Sequence, residues 1–264
     1  MPAIRGITIS VGYAPLLSVT LVRNLRHLTE CLVVTTPEDE DTKAVARSIP
    51  GVRIFETGAF TRHGARFNKG LAMEEGFEAL GRHGWCCIFD ADILLPDVLP
   101  LADIRPDTLY GARRRVLEDP NKWQPDLNWN VAPHAKDGGP IGFTQLFHAD
   151  AIKDKRPWYD VSFGHAGGGD AFFIGHWPPG KRVVLPFDVL HLGPVDKNWF
   201  GLDPEGQDMM AAFVHRNGWR RAMAKADPTA VDRVPEIVER VEVPGYPKSD
   251  YELPFVKRAQ QSRS

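Results

Sequence analysis

Two aspartates stand where an apolar run of the sequence ends. Asp90 and Asp92 follow the run Trp85-Cys86-Cys87-Ile88-Phe89, and apolar residues resume at Ile93. Two carboxylates at the end of a buried strand can face one pocket, and carboxylate oxygens bind Mg²⁺ and Mn²⁺ while leaving positions free for phosphate. Acidic pairs also occur in solvated turns, so this pair alone is only a weak indication of a metal site.

Two later segments carry groups that could act with this pair. His191 lies between leucines, which is the usual setting of a buried core histidine, but a neutral imidazole is also a good Mn²⁺ ligand beside carboxylates. Asp170 ends the run Gly167-Gly168-Gly169-Asp170, where glycines allow a ligand close to the backbone and the carboxylate could act as a general base. The alternative for Asp170 is a helix-capping residue after a glycine-rich turn.

Strand-like and helix-like segments alternate over residues 1–105. Apolar and β-branched runs predict strands at 7–11, 31–36, 52–55 and 85–89, and spacings of three and four predict helices from Pro15 to Leu28 and from Phe67 to Leu80. This alternation implies βαβ units and a mainly parallel sheet, in which ligands bind beyond the carboxyl ends of the strands. The sequences at three of those ends suit ligand binding: Gly12-Tyr13, Thr35-Thr36-Pro37 and Asp90-Ala91-Asp92.

The pattern changes after residue 105. Glycine, proline and tryptophan become frequent, and we predict short strands, one of them near 142–148, joined by polar loops. Asp203-Pro204 predicts the start of a helix that ends near Gly218. Residues 231–264 are predicted to form a proline-rich arm with a frayed tail. Because no linker interrupts the chain, we predict a single domain over residues 1–264.

Composition excludes several classes of protein. The 264 residues are 43% hydrophobic and 25% charged, which argues against a disordered, collagenous or coiled-coil chain. The net charge of −2 draws the molecule neither to nucleic acid nor to anionic lipid. Cys31, Cys86 and Cys87 form no C-x-x-C pair, so we expect buried, reduced thiols. The sequence has neither a signal peptide nor 18 consecutive apolar residues, which predicts a cytoplasmic protein without a transmembrane segment.

Taken in order, these motifs resemble those of GT-A glycosyltransferases, closest in style to the family 2-like inverting enzymes and the galactosyltransferase type. The resemblance covers residues 5–201 and implies an α/β, Rossmann-like GT-A fold with a mainly parallel central sheet, flanking helices and a smaller acceptor-side half. One departure is Gly169, because the galactosyltransferase pattern has a glutamate before the base. The matching segments are Val11-Gly12-Tyr13, Thr35-Thr36-Pro37 with Asp39, Asn68-Lys69-Gly70, Asp90-Ala91-Asp92, Gly168-Gly169-Asp170 and His191.

The resemblance implies an inverting, metal-dependent enzyme that moves a sugar from a nucleotide-diphosphate sugar, most often a UDP-sugar, to an acceptor hydroxyl. Residues 1–105 then bind the nucleotide sugar, and 106–230 form the acceptor and catalytic half. Asp170 is the implied base, and Asp92 and His191 hold Mn²⁺ or Mg²⁺. The implied contacts to the nucleotide sugar are Val11, Gly12, Tyr13, Thr35, Thr36, Asp39, Asn68, Lys69, Asp90 and Trp199, the last in a closing loop.

Other interpretations of the sequence remain open. A nucleotidyltransferase usually has a glycine-rich, basic phosphate loop after the first strand, and residues 12–15 are not one. A metal hydrolase could use His165, Asp170 and His176, although no standard ligand spacing supports it. A non-catalytic nucleic-acid-binding module fits the net charge poorly.

The acceptor is the least constrained part of the prediction. A saccharide is expected, and DNA carrying a hydroxymethylated base is the alternative. The alternative depends on basic clusters at 113–115 and 216–225, whose default interpretation is a solvated helix face. No obligate protein partner is evident from the sequence.

Overall fold

A computed structural model describes residues 2–135, 139–194 and the single residue Pro244. Several predictions lie outside the described residues: the helix at 203–218, Trp199, the basic residues at 216–225 and, except for Pro244, the arm at 231–264.

The described residues form one eight-stranded sheet in the order β3-β2-β1-β4-β7-β6-β8-β5. Strands β1 to β4 pair in parallel, whereas β7 and β5 run antiparallel to their neighbours. This confirms the predicted Rossmann-like α/β fold with flanking helices. The strands are β1 Ile4–Ile9, β2 Glu30–Thr35, β3 Val52–Glu56, β4 Trp85–Phe89, β5 Ile93–Leu94, β6 Leu109–Leu117, β7 Thr144–His148 and β8 Arg182–Leu192, and the helices are α1 Ala14–Asn24, α2 Glu40–Arg47, α3 Lys69–Leu80 and α4 Gly169–Ile174.

The two faces of the sheet bury separate cores because successive side chains of a strand point to opposite faces. On one face, Ile7 and Ile88 pack with Phe77 of α3. On the other face, Val33 and Phe89 pack with α1. Strands covered on both faces contain continuous apolar runs, which is why β2, with its run at 31–34, and β4 are recognisable in the sequence.

Three predicted elements of the first half differ from the structure. Strand β1 spans Ile4–Ile9 instead of 7–11, and it includes Arg5 because the buried guanidinium donates to the carbonyls of Leu80 and Gly81 at 2.7 Å and 2.9 Å.

Helix α1 ends at Asn24, and a 3-10 helix over Leu25–His27 continues the chain to just before Leu28. The side chain of the buried Asn24 donates to the carbonyl of Ile93 and accepts from the backbone amide of Leu95, both at 2.8 Å, which fixes this end of α1 to the segment after Asp92. The acidic run at 38–41, predicted as a turn, contains the start of α2. Asp39 caps this helix by accepting from the Thr42 amide at 3.0 Å.

The second half contains longer strands than we predicted. Strand β6 has nine residues and β8 has eleven, and they pair in parallel around an irregularity between Gly111 and Arg113. The cluster at 113–115 therefore lies on a strand and not on a helix face. Arg113 and Arg115 pair with Asp188 of β8 at 3.1 Å and 2.7 Å, so ion pairs offset the cost of placing these arginines on a sheet. The division of the domain into two halves stays a prediction.

The three cysteines are buried, as predicted. Burial raises the pKa of the Cys86 thiol to about 11, which leaves it protonated and unreactive at neutral pH. None of the helices in the described ranges is long and apolar enough to cross a membrane.

The buried carboxylate of Glu74 connects α3 to the segment that precedes α4. The side chains of Glu74 and Arg82, 1% and 5% exposed, pair at 2.8 Å. Glu74 also accepts hydrogen bonds from the backbone amides of Trp158 and Tyr159, at 2.9 Å and 2.8 Å. The carboxylate therefore fixes the start of a loop whose later residues reach the candidate site.

We expect Glu74→Gln to lower the free energy of unfolding by about 3 kcal/mol, because the buried charge of Arg82 would keep only the exposed Glu78 as an ionic partner. Glu78 bonds the same arginine from a position 56% exposed, so Glu78→Gln should cost less than about 1 kcal/mol. Urea denaturation of both variants measures the difference. Equal losses of unfolding free energy in the two variants would show that the burial of the Glu74–Arg82 pair does not contribute to stability.

Candidate active site

Asp92 and His191 meet because two strands of the sheet pair next to them. Strand β5 begins one residue after Asp92 and pairs antiparallel with β8, with Ile93 opposite His191. The Leu192 amide also donates to the Asp92 carbonyl at 2.9 Å. As a result, Asp92 Oδ2 lies 3.4 Å from His191 Nε2.

The ring of His191 is oriented by a second contact. Its Nδ1 lies 3.0 Å from the carbonyl oxygen of Gly193, and a carbonyl can only accept, so we assign the proton to Nδ1. In the neutral ring, Nε2 then presents a lone pair towards Asp92. A backbone carbonyl bound to the far ring nitrogen is the usual support of a metal-binding histidine.

Asp92 has unused capacity for a ligand. Within the described residues, its buried Oδ1 has no hydrogen-bond partner. Burial raises the pKa of this carboxyl, and the nearby His191 opposes the rise. A buried carboxylate oxygen without a donor is costly, and a divalent cation would satisfy it.

The two side chains fit a cation that takes its other ligands from water and phosphate oxygens. Among the described residues, no group of three His, Cys, Asp or Glu side chains is placed to share one metal ion. If a divalent cation binds here, Asp92 and His191 would supply its protein ligands, and water or phosphate oxygens would fill its other positions.

Asp90 is held by Lys69 and not by His191. Asn68 caps α3, and Lys69 follows as its first residue. Lys69 Nζ lies 2.9 Å from Asp90 Oδ1, and the Asp90 amide donates to the Phe143 carbonyl at 3.1 Å. Burial opposes the charge of Lys69, but the carboxylates of Asp90, Asp170 and Asp92 outweigh that effect and raise its pKa. Lys69 is therefore a permanent cation among three acids.

The start of α3 is fixed against the loop before α4. Asn68 is fully buried, with Oδ1 accepting from the Leu71 amide and Nδ2 donating to the Val161 carbonyl, both at 2.8 Å. A Cβ added to Gly70 would overlap the carbonyl of Asp160, so only glycine allows this approach. Both polar atoms of the Asn68 side chain are engaged within the protein, which suits positioning of Lys69 better than contact with a ligand.

Asp170 is the second residue of α4, not its cap, because Gly168 occupies the capping position with φ of 86°. Burial and Asp90 raise the pKa of the Asp170 carboxyl, while Lys69 and Arg114 lower it. Its Oδ1 is buried and has no hydrogen-bond partner within the described residues. A carboxylate of this kind can accept a proton from a bound hydroxyl group.

Gly142 lies directly against this carboxylate. A Cβ added at Gly142 would overlap both oxygens of Asp170, so the arrangement exists only with glycine there. We expect Gly142→Ala to displace Asp170 and to lower turnover by about 100-fold, since a shift of about 1 Å in a reacting group costs that much.

Gly58→Ala is the matched control, because a Cβ there meets nothing within 4 Å. Steady-state kinetics of both variants tests the expectation. Turnover of Gly142→Ala within about twofold of Gly58→Ala would show that Asp170 does not need its present position.

The ends of β1 and β2 form the region predicted to bind the nucleotide. Asp39 Oδ2 accepts from the Gly12 amide at 2.7 Å and from Thr35 Oγ1 at 3.3 Å. Its carboxylate therefore ties the two strand ends together and also caps α2. Because β1, β2 and β4 are parallel, these residues, with Val11, Tyr13 and Thr36 beside them, lie at the same sheet edge as Asp90.

The sequence predicts a strand near 142–148 and a basic cluster at 113–115, but it does not indicate that Arg114, Gly142 and Phe143 act on Asp90 or Asp170. The Arg114 guanidinium lies 4.7 Å from the Phe143 ring centre and acts electrostatically on Asp170. Successive side chains of a strand point to opposite faces, so Arg114 faces away from Arg113 and Arg115 on β6. The sequence did not predict β6, and this difference was therefore not foreseen.

The two histidines of the hydrolase alternative bond to the backbone, and within the described residues they form no three-residue metal-binding group with Asp170. His165 Nδ1 accepts from the Gly167 amide at 3.0 Å, and His176 Nε2 lies 3.0 Å from the Trp158 carbonyl. Burial lowers the pKa of His176. Trp158 and Trp177, two of the tryptophans frequent after residue 105, are core residues that are 0% and 2% exposed, so their rings are not available to stack on a sugar.

Comparisons with known proteins identify structural neighbours only. No family model matches the chain, and no curated protein matches it. Its solved neighbours include a galactosyltransferase, LgtC, with 14% identity over 83% of this chain and 99% of that chain, at a TM-score of 0.43. Mannosyl-3-phosphoglycerate synthase from Rubrobacter xylanophilus has 14% identity, covers 83% and 74% of the two chains, and has a TM-score of 0.46.

Nucleotidyl-transferring enzymes are among the neighbours as well. 4-Diphosphocytidyl-2C-methyl-D-erythritol synthase from Anaerococcus prevotii has 15% identity over 81% of this chain and 99% of that chain, at a TM-score of 0.44. None of these similarities assigns a reaction to the chain.

Proposed function

We propose that the protein is an inverting, metal-dependent glycosyltransferase that uses a nucleotide-diphosphate sugar. One observation carries the proposal: Lys69, Asp90, Asp92, Asp170 and His191 come from distant parts of the sequence and interact at one edge of the sheet. The motif order that resembles GT-A enzymes supports the same function.

Asp170 is the proposed general base. In the reaction, the acceptor hydroxyl oxygen bonds to the anomeric carbon while the bond from that carbon to the diphosphate oxygen breaks. The electron pair leaves on the diphosphate, and the Asp170 carboxylate takes the hydroxyl proton. Attack from the face opposite the leaving group inverts the anomeric configuration.

Lys69, Asp92 and His191 form the proposed leaving-group side of the site. A divalent cation held by Asp92 and His191 would neutralise negative charge that develops on the diphosphate. Lys69 keeps its own positive charge beside Asp90, which we propose holds the ribose or the donor sugar. The Gly12 and Thr35 region is the proposed nucleoside contact, and a UDP-sugar is the proposed donor.

The nucleotidyltransferase alternative has less support from this site. Helix α1 starts at Ala14 with proline in its first turn, directly after Gly12-Tyr13. Among residues 10–15, no lysine or arginine is present to hold a triphosphate. The proposed acceptor is a saccharide; a hydroxymethylated DNA base stays the alternative.

A product assay distinguishes these functions. Incubation with a panel of nucleotide sugars, Mn²⁺ and saccharide acceptors should release a nucleoside diphosphate and form a glycoside with inverted configuration by NMR. Release of pyrophosphate from a nucleoside triphosphate and a sugar phosphate would instead identify a nucleotidyltransferase.

Lys69 should set the pH at which the acidic limb of the kcat/KM profile of this reaction lies. Asp170 must be deprotonated to act, and Lys69 lowers the pKa of Asp170 against the raising effect of burial. Removal of the cation in Lys69→Met should therefore move the acidic limb of the kcat/KM profile to higher pH. Lys181→Met is the control, since Lys181 pairs with the exposed Asp107. An acidic limb at the same pH in both variants would contradict the assignment.

A further inference from the structure

Residues 140–143, the 140–143 segment, contact both acids at the centre of the candidate site. Gly142 lies against the Asp170 carboxylate, and the Phe143 carbonyl accepts from the Asp90 amide at 3.1 Å. A movement of this segment would therefore change the position of the proposed base and of the proposed donor contact together.

A buried glutamine of the neighbouring strand β7 holds the 140–143 segment in place. Gln145 of β7 is 0% exposed, and its Nε2 donates to the Pro140 carbonyl at 3.0 Å. Pro140 in turn lies against β6, where a Cβ added to Gly111 would overlap it. The segment is thus fixed to two neighbouring strands at its first residue.

The other end of the Gln145 amide reaches the helix that carries Asp170. Gln145 Oε1 accepts from the Tyr159 hydroxyl at 3.1 Å, and the Tyr159 ring stacks on Phe173 of α4 with centres 4.9 Å apart. A Cβ added to Gly169, the residue before Asp170, would lie 3.1 Å from the same ring. One chain of contacts therefore runs from Pro140 through Gln145 and Tyr159 to α4.

We propose that Gln145 and Tyr159 are positioning residues that hold Asp170 and the 140–143 segment in the relative position that group transfer requires. The claim that this positioning serves group transfer rests on the proposed function. Neither side chain needs to touch substrate in this role. A buried polar pair favours one arrangement of the core around it, since each partner loses its hydrogen bond in an arrangement that separates the two.

Tyr159→Phe removes the hydroxyl and keeps the stacked ring. We expect kcat to fall roughly 10- to 100-fold, whereas the Kd for a nucleoside diphosphate and Mn²⁺ should rise by only about threefold in calorimetry, because Asp90 shifts with the segment but Asp92 and His191 do not belong to it. Amide hydrogen exchange at Ile141 and Thr144 should become about tenfold faster. Tyr110→Phe is the matched control, because the Tyr110 hydroxyl is also buried and accepts from the Arg105 amide at 2.7 Å.

Equal kcat and equal exchange in Tyr159→Phe and Tyr110→Phe would overturn the proposal. If Tyr159→Phe fails to fold, the double variant Gln145→Met with Tyr159→Phe replaces both partners by apolar groups and is expected to fold with the same loss of kcat. A wild-type protein that transfers no sugar would defeat the proposed function instead. The exchange comparison alone would then decide whether Tyr159 holds the segment.

Discussion

Asp170→Asn is expected to lower kcat by about 100- to 10,000-fold while the donor binds with unchanged affinity. The amide has the same shape as the carboxylate, so it fits against Gly142, but it cannot take the proton of the acceptor hydroxyl. Single-turnover kinetics with the nucleotide sugar, together with calorimetry for donor binding, separates the two effects.

Asp160→Asn serves as the control for this substitution. Asp160 is buried in the loop before α4, and its Oδ1 accepts from the amide and the hydroxyl of Ser162 at 2.9 Å and 2.6 Å. An amide oxygen can still accept these bonds, so turnover should stay within about threefold of the wild type. Turnover of Asp170→Asn at the wild-type rate would remove Asp170 from the role of base.

Asp92→Ala is expected to abolish metal-dependent binding of the nucleoside diphosphate and, with it, transfer. Asp92 supplies the only carboxylate that faces His191 within the described residues. Without metal, the variant should be as stable as the wild type or more stable, because the substitution removes a carboxylate whose buried oxygen has no partner there. Calorimetric titration with Mn²⁺ and nucleotide, and urea denaturation without either, measure the two effects.

Asp97→Ala is the matched control for the loss of an acid from the same part of the chain. Asp97 is 63% exposed and pairs with Arg23 and Arg26 at 2.9 Å and 2.7 Å. Its removal should leave metal and nucleotide binding unchanged. Full metal-dependent binding by Asp92→Ala would contradict the assignment of the cation site.

The parallel half of the sheet was predictable because its strands are covered on both faces. The runs at 31–34 and 85–89 are continuously apolar, and the intervening helices have regular apolar spacing. Parallel strands bring their carboxyl ends to one edge, so the grouping of Gly12, Thr35 and Asp90 follows from local patterns. Their roles towards a nucleotide stay a proposal.

The second half was less predictable because its strands depend on partners distant in sequence. Arg113 and Arg115 are tolerated on β6 through Asp188, and no local pattern indicates that pairing. The same pairing of strands aligns β8 with β5 and brings His191 to Asp92. The support of Asp170 by Gly142 likewise depends on the approach of two loops, which the sequence does not show.

Thermal melting against a panel of nucleotides and nucleotide sugars, with and without Mn²⁺ or Mg²⁺, tests the central claim most directly. A ligand at 100 times its Kd stabilises the folded state by about 2.7 kcal/mol, which raises the melting temperature by several degrees. We expect such a rise with one nucleoside diphosphate, dependent on the metal, retained in Asp97→Ala and lost in Asp92→Ala. An unchanged melting temperature with every nucleotide and metal would contradict a nucleotide-diphosphate site at Asp92 and His191.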